Sequence, residues 1–137
     1  MSCILDTNIV SAILKKNQII APKIRQLRIT KQQLFISCIT YYEIKGGLVA
    51  ANATAKLLAF ERLCNNDLKI VFLDDRDILD VASDIYADLK RKGTPLETAD
   101  ILIAATAIAR DLVLVSHDSD MLRIPGLALE DWLRPER

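Results

Sequence analysis

Histidine is almost missing from this chain: His117 is the only one in 137 residues. That excludes zinc sites built on several histidines. Cysteine is scarce too, with three residues and no Cys-x-x-Cys pair, so neither a disulfide framework nor a zinc signature is present. Four glycines and four prolines form no flexible linker, and no segment repeats. With nothing to mark a boundary, a single domain over residues 1–137 is expected, long enough for a sizeable core. No apolar run approaches the ~20 residues that cross a bilayer, so the sequence offers no membrane span. Met1 to Leu5 is too short for a signal peptide, has no basic lead, and is interrupted by Asp6. A cytoplasmic protein with no membrane partner is the resulting expectation.

What is present reads as a globular chain, 51% hydrophobic and 26% charged. Eighteen basic residues balance eighteen acidic ones, which excludes a uniformly basic nucleic-acid binder. The distribution is uneven, however. Residues 1–31 hold Lys15, Lys16, Lys23, Arg25, Arg28 and Lys31 against Asp6 alone. Residues 74–88 hold six aspartates against Arg76 alone. A local basic surface can meet phosphates, and it can equally be a solvated face.

Apolar runs and helical patterns alternate along the chain. Cys3-Ile4-Leu5, LFISCIT, LKIVFL and LVLVS read as buried strands, and LALEDW as a short edge strand. Between them lie the helical stretches NIVSAILKK, with Thr7 or Asn8 as cap, APKIRQLRI, one through Tyr42-Glu43-Ile44, and NATAKLLAFERLCN, with Asn52 as cap. Ile78, Val81, Ala82, Ile85 and Leu89 form the apolar face of a further helix, whose other face carries Asp77, Asp80, Asp84 and Asp88. Lys90, Arg91, Lys92 and Gly93 end it. Thr94-Pro95-Leu96-Glu97 resembles a capping box for the last helix. Continuously apolar strands separated by helices predict an α/β fold with a mostly parallel sheet covered on both faces. Ligands bind beyond the carboxyl ends of such strands.

Asp6 and Asp118 fall at two such ends. With Glu43 and Asp100 they make four acids outside the plainly solvated helix. Each also has a local explanation: an Asx turn for Asp6, a surface helix acid for Glu43, a helix-dipole partner for Asp100, a turn residue for Asp118. Asp100 is the most telling, because it opens the apolar run Ile101-Leu102-Ile103-Ala104-Ala105, where an unpaired carboxylate is costly. Carboxylates crowded at one rim repel one another unless a cation neutralises them, and oxygen donors without Cys or His suit Mg²⁺ or Mn²⁺.

Leu5-Asp6-Thr7-Asn8, Tyr42-Glu43-Ile44 and Asp100-Ile101-Leu102-Ile103-Ala104 resemble the motifs of PIN-domain ribonucleases. Leu114-Val115-Ser116, then Arg123-Ile124-Pro125-Gly126-Leu127 and Glu130-Asp131-Trp132, resemble more closely the VapC toxins of bacterial type II toxin–antitoxin systems. The resemblance spans nearly the whole chain. It implies a compact three-layer α/β/α PIN-like domain and a Mg²⁺-dependent endoribonuclease, with Mn²⁺ as a possible substitute. It also implies a homodimer, an RNA substrate and a cognate VapB-like antitoxin whose C-terminal segment covers the active site. Asp6, Glu43 and Asp100 fall on the family's metal-binding acids, Asp6 and Asp100 as primary ligands. The fourth position departs from the family pattern, because a shortened loop offers both Asp118 and Asp120. Asp118, nearer the strand end, is the expected ligand and Asp120 the alternative, otherwise a cap for the turn at Met121 and Leu122. Thr7 and Ser116 are candidates for holding a phosphate or a metal-bound water.

Two phosphotransfer folds of similar architecture fit less well. A haloacid-dehalogenase-like phosphatase needs Asp-x-Asp after the first strand, where this chain has Asp6-Thr7-Asn8, and a response-regulator receiver needs a Lys after LVLVS. A PIN-like binding module with a degenerate site is disfavoured, because every candidate acid is retained.

Overall fold

The computed structural model describes residues 1–134. Cys3–Leu5 forms β1, followed by α1 (Thr7–Leu14), α2 (Ala21–Ile29) and β2 (Leu34–Ser37). Next come α3 (Cys38–Ala50), α4 (Thr54–Asn66) and β3 (Leu68–Val71). The long α5 (Arg76–Arg91) and α6 (Thr98–Ala109) precede β4 (Val113–Val115). A 3-10 helix at Ser119–Arg123 and a two-residue strand β5 (Leu129–Glu130) follow.

The five strands form one sheet in the order β3-β2-β1-β4-β5, and every pairing is parallel. Alternation along β1 feeds two cores. Cys3 and Leu5 pack on one face with Ile9, Ile24, Ile44 and Phe60, drawn from α1 to α4. Ile4 packs on the other with Ile78, Leu89 and Ile103 of α5 and α6 and Leu114 of β4. Burying each such side chain contributes roughly 1.5–3 kcal/mol, which is why continuously apolar strands end up in the middle layer. The expected three-layer α/β/α arrangement is the one observed.

Several boundaries differ from the expectation, each for a local hydrogen-bonding reason. The LFISCIT strand ends at Ser37, whose side chain accepts from Ile39 N at 3.0 Å and caps α3. Cys38 therefore opens a helix instead of extending a strand. The cap of α1 is Asp6 rather than Thr7 or Asn8. Asn52 does not cap α4: it adopts φ 52° just after α3, and Ala53 sits at the cap position with no side-chain bond. Thr94–Glu97 is not a capping box either. Helix α6 begins at Thr98, with Glu97 at its cap position and no side-chain cap bond.

Helix α5 matches its pattern, burying Ile78, Ala82, Ile85 and Leu89 while Asp77, Asp80 and Asp84 stay exposed. Gly93 closes it at φ 71°, the left-handed region, where a Cβ would meet nothing within 4 Å. Gly93→Ala should therefore cost only backbone strain, about 1 kcal/mol. Urea unfolding should show a lowered midpoint with an unchanged slope.

Candidate active site

The winding of the sheet locates the site. The chain runs outward from β1 to β2 and β3, then returns past β1 to β4, so the direction reverses between β1 and β4. Parallel sheets open a crevice at such a switch point, beyond the carboxyl ends of the flanking strands. Asp6 and Ser116 directly follow those two strands.

Asp6 is buried, with 3% of its surface exposed. Its Oδ1 accepts from Thr7 N at 2.8 Å, and its Oδ2 accepts from Ser116 Oγ at 2.7 Å and Asn8 Nδ2 at 3.4 Å. The Asn8 Oδ1 accepts from His117 N at 3.0 Å, which ties the loop after β4 to the start of α1. Burial raises the Asp6 carboxyl above its ordinary value. The bonds from Ser116 and Thr7 act against that shift, while the charges of Asp118 and Glu43 add to it.

Asp100 stands in the first turn of α6 and reaches the same crevice. Its pKa is pushed up to about 6, first by burial and then by the charges of Asp6, Asp118, Glu97 and Glu43. Glu43 is exposed on α3 and accepts from Thr7 Oγ1 at 2.8 Å. Thr7 Oγ1 also shares a 3.2 Å bond with the buried Thr40 hydroxyl, one turn before Glu43. Asp118 caps the 3-10 helix, its Oδ1 accepting from Asp120 N at 2.9 Å, while its own N–H donates to Ser116 Oγ at 3.1 Å. The cap expected of Asp120 thus belongs to Asp118. Asp120 instead pairs with Arg123 at 3.0 Å and is not among the charges that shift Asp6 or Asp100.

Asp6, Glu43, Asp100 and Asp118 are therefore coupled electrostatically, and among the described residues none of them forms an ion pair with Lys or Arg. Uncompensated carboxylates facing one crevice fit a hard divalent cation. Among the described residues no three Asp, Glu, His or Cys side chains converge tightly enough to enclose an ion by themselves. A hydrated divalent ion that keeps several waters and takes one or two carboxylates directly does not need such an enclosure. A cavity of about 750 Å³ between α1, α2 and α4 holds none of the four acids; Ile20, Ile24 and Leu63 line it, with Arg25 and Arg62.

The raised acids carry a pH dependence. An unfolded aspartate titrates near ~3.9, so between about 4 and 6 the folded protein binds a proton that the unfolded chain has released. Metal-free stability should fall as pH rises through that window, and the cost is fully present above it. Melting in excess EDTA should give a smaller drop between pH 5 and 7.5 for Asp100→Asn than for the unaltered chain.

The sequence names all four coupled acids and Thr7 and Ser116, but not Thr40; it gives Asn8 as a motif residue and cap without its bond to Asp6, and Glu97 as half of a capping box. A buried threonine one helical turn before an acid is the signal that could have found Thr40.

The chain belongs to the PIN domain family, whose profile matches residues 3–127. Within it, ribonuclease VapC1 of Haemophilus influenzae is similar, 31% identical over 138 residues that cover 98% of this chain and all of that protein. The tRNA(fMet)-specific endonuclease VapC of Salmonella typhimurium is 32% identical over 108 residues, 78% of this chain and 81% of that one. The crystal structure of DNA-bound VapBC from Salmonella typhimurium superposes with a TM-score of 0.82 at 31% identity, covering 96% of this chain and 98% of that one.

Proposed function

We infer that this protein is a VapC-type toxin, an endoribonuclease that hydrolyses RNA phosphodiester bonds with Mg²⁺, or Mn²⁺ in its place. The observation that carries the reading is the set of four coupled, uncompensated carboxylates at the β1/β4 switch point. Asp6 and Asp100 are the primary ligands, with Glu43 and Asp118 acting directly or through water. A divalent ion held there supplies an activated water, a polarised phosphate and a neutralised leaving oxygen.

The chain's own residues set the geometry. Ser116 and Asn8 orient Asp6 through Oδ2, and Thr7 fixes Glu43 from α1. Asp118 is held through Oδ1 by its own cap, and its charge acts on both Asp6 and Asp100. In-line attack by water leaves a 5′-phosphate and a 3′-hydroxyl.

A VapB-like antitoxin is the proposed inhibitor. Support comes from the VapBC assembly of the structural relative and from the large groove between α1, α2 and α4, whose apolar floor and arginine rim suit a protein segment carrying acids. A homodimer in the cytoplasm is the proposed working state.

Incubating the purified chain with transfer RNA and ribosomal RNA, then mapping the new ends, tests the activity. Discrete cuts with 5′-phosphates are expected, and transfer RNA for formyl-methionine is the first substrate to try, given the Salmonella relative. Intact RNA of every class, or 2′,3′-cyclic phosphate ends, would contradict the reading.

A further inference from the structure

We propose that a second groove, between α1, α3 and the start of α4, binds the RNA strand flanking the scissile phosphate. The proposal rests on the nuclease reading above and adds where the substrate backbone lies. A cavity of about 240 Å³ begins at Thr7 and Glu43, two residues bonded to each other at the rim of the carboxylate site, and runs to Lys15 and Lys56. It is continuous with the candidate active site, so a chain passing through it meets the acids at one end.

Three features of the groove select a polyanion. Lys15 and Lys56 are exposed and form no ion pair among the described residues, so both charges are available to an anion in the groove. Lys56 sits in the first turn of α4, where a cation is unfavourable against the helix dipole unless an anion is shared. That first turn has no side-chain cap; the Thr54 N–H donates to Asn52 O at 3.0 Å, and the Ala55 and Lys56 N–H groups, without a partner among the described residues, are left for an acceptor such as a phosphate oxygen.

Gly47 explains the shape. It lies one turn after Glu43 on α3, and a Cβ there would meet nothing within 4 Å. Glycine inside a helix costs about 1 kcal/mol relative to Ala, and no neighbour in the fold requires it here. Its missing side chain keeps the groove floor low between the acids and the lysines. A ribose-phosphate backbone needs that clearance on its way to the scissile bond.

Binding of a labelled single-stranded RNA oligonucleotide, followed by anisotropy in excess EDTA, tests the groove apart from the chemistry. Lys15→Ala combined with Lys56→Ala should weaken binding roughly tenfold or more and flatten the log–log salt dependence by about 1 to 1.5, as expected for two lost phosphate contacts on a single strand. Gly47→Leu should weaken binding comparably while leaving the melting temperature equal or higher, since Leu favours the helix. Wild-type affinity and salt slope in both variants would overturn the proposal. So would unchanged RNA binding with loss of binding to the antitoxin, which would give the groove to the protein partner. RNA binding that depends on the lysines, with no cleavage in Mg²⁺, would leave the groove standing and reject the nuclease reading. Cleavage with RNA binding indifferent to all three residues would do the reverse.

Discussion

Asp100→Asn should abolish RNA cleavage and, in the same molecule, stabilise the metal-free fold. The expected loss of rate is on the order of 10²–10³-fold or greater, the scale seen when one preorganised electrostatic group is removed from a reacting centre. The stability gain follows from the charges around it. Burial and the negative charges of Asp6, Asp118, Glu97 and Glu43 hold the Asp100 carboxyl at about 6, so at pH 7 it is ionised against its surroundings. Asp100 is only half-buried, and solvent screening reduces the recoverable free energy to about 1 kcal/mol. A helix-dipole partner would behave in the opposite way, its removal costing roughly 0.3–1 kcal/mol with activity kept. Thermal melts in EDTA and cleavage assays on one variant therefore separate the two roles by the sign of the stability change.

Asp118 and Asp120 should separate as sharply. Asn caps a helix about as well as Asp, so Asp118→Asn should keep the bond from Asp120 N and nearly all the stability. What it loses is the charge facing Asp6 and Asp100, and metal affinity and cleavage should fall about 10–100-fold. Asp120→Asn removes only a half-exposed pair with Arg123, worth within ~1 kcal/mol, and leaves the coupled acids untouched. Metal titration and cleavage rates of the two variants read this directly. An inactive Asp120→Asn beside an active Asp118→Asn would mean that the shortened loop delivers the later acid to the site.

The order of strands and helices was legible because continuously apolar strands and the α5 stripe each satisfy only one period. The clustering of Asp6, Glu43, Asp100 and Asp118 could be guessed from strand ends and family motifs: Asp6 and Asp118 lie just after strands, Asp100 near a helix start, and Glu43, inside α3, was marked by its motif alone. Boundaries were less legible. Ser37 ends its strand by capping the next helix and looks like an ordinary polar residue within an apolar run, while Asp6 marked its strand end correctly but not its role as the cap of α1. The Asp118 cap was assigned to Asp120 because two aspartates two residues apart offer the same local chemistry, and only the three-dimensional placement of Arg123 distinguishes them. Lys15 and Lys56 are forty-one positions apart in sequence and share a groove only once α1 and α4 pack on α3.

Calorimetric titration of Mg²⁺, with Mn²⁺ in parallel, into the purified chain at pH 7.5 tests the carboxylate site most directly. A divalent-metal nuclease predicts saturable binding that is lost in Asp100→Asn along with cleavage. No saturable binding, or RNA cleavage undiminished in excess EDTA, would contradict it.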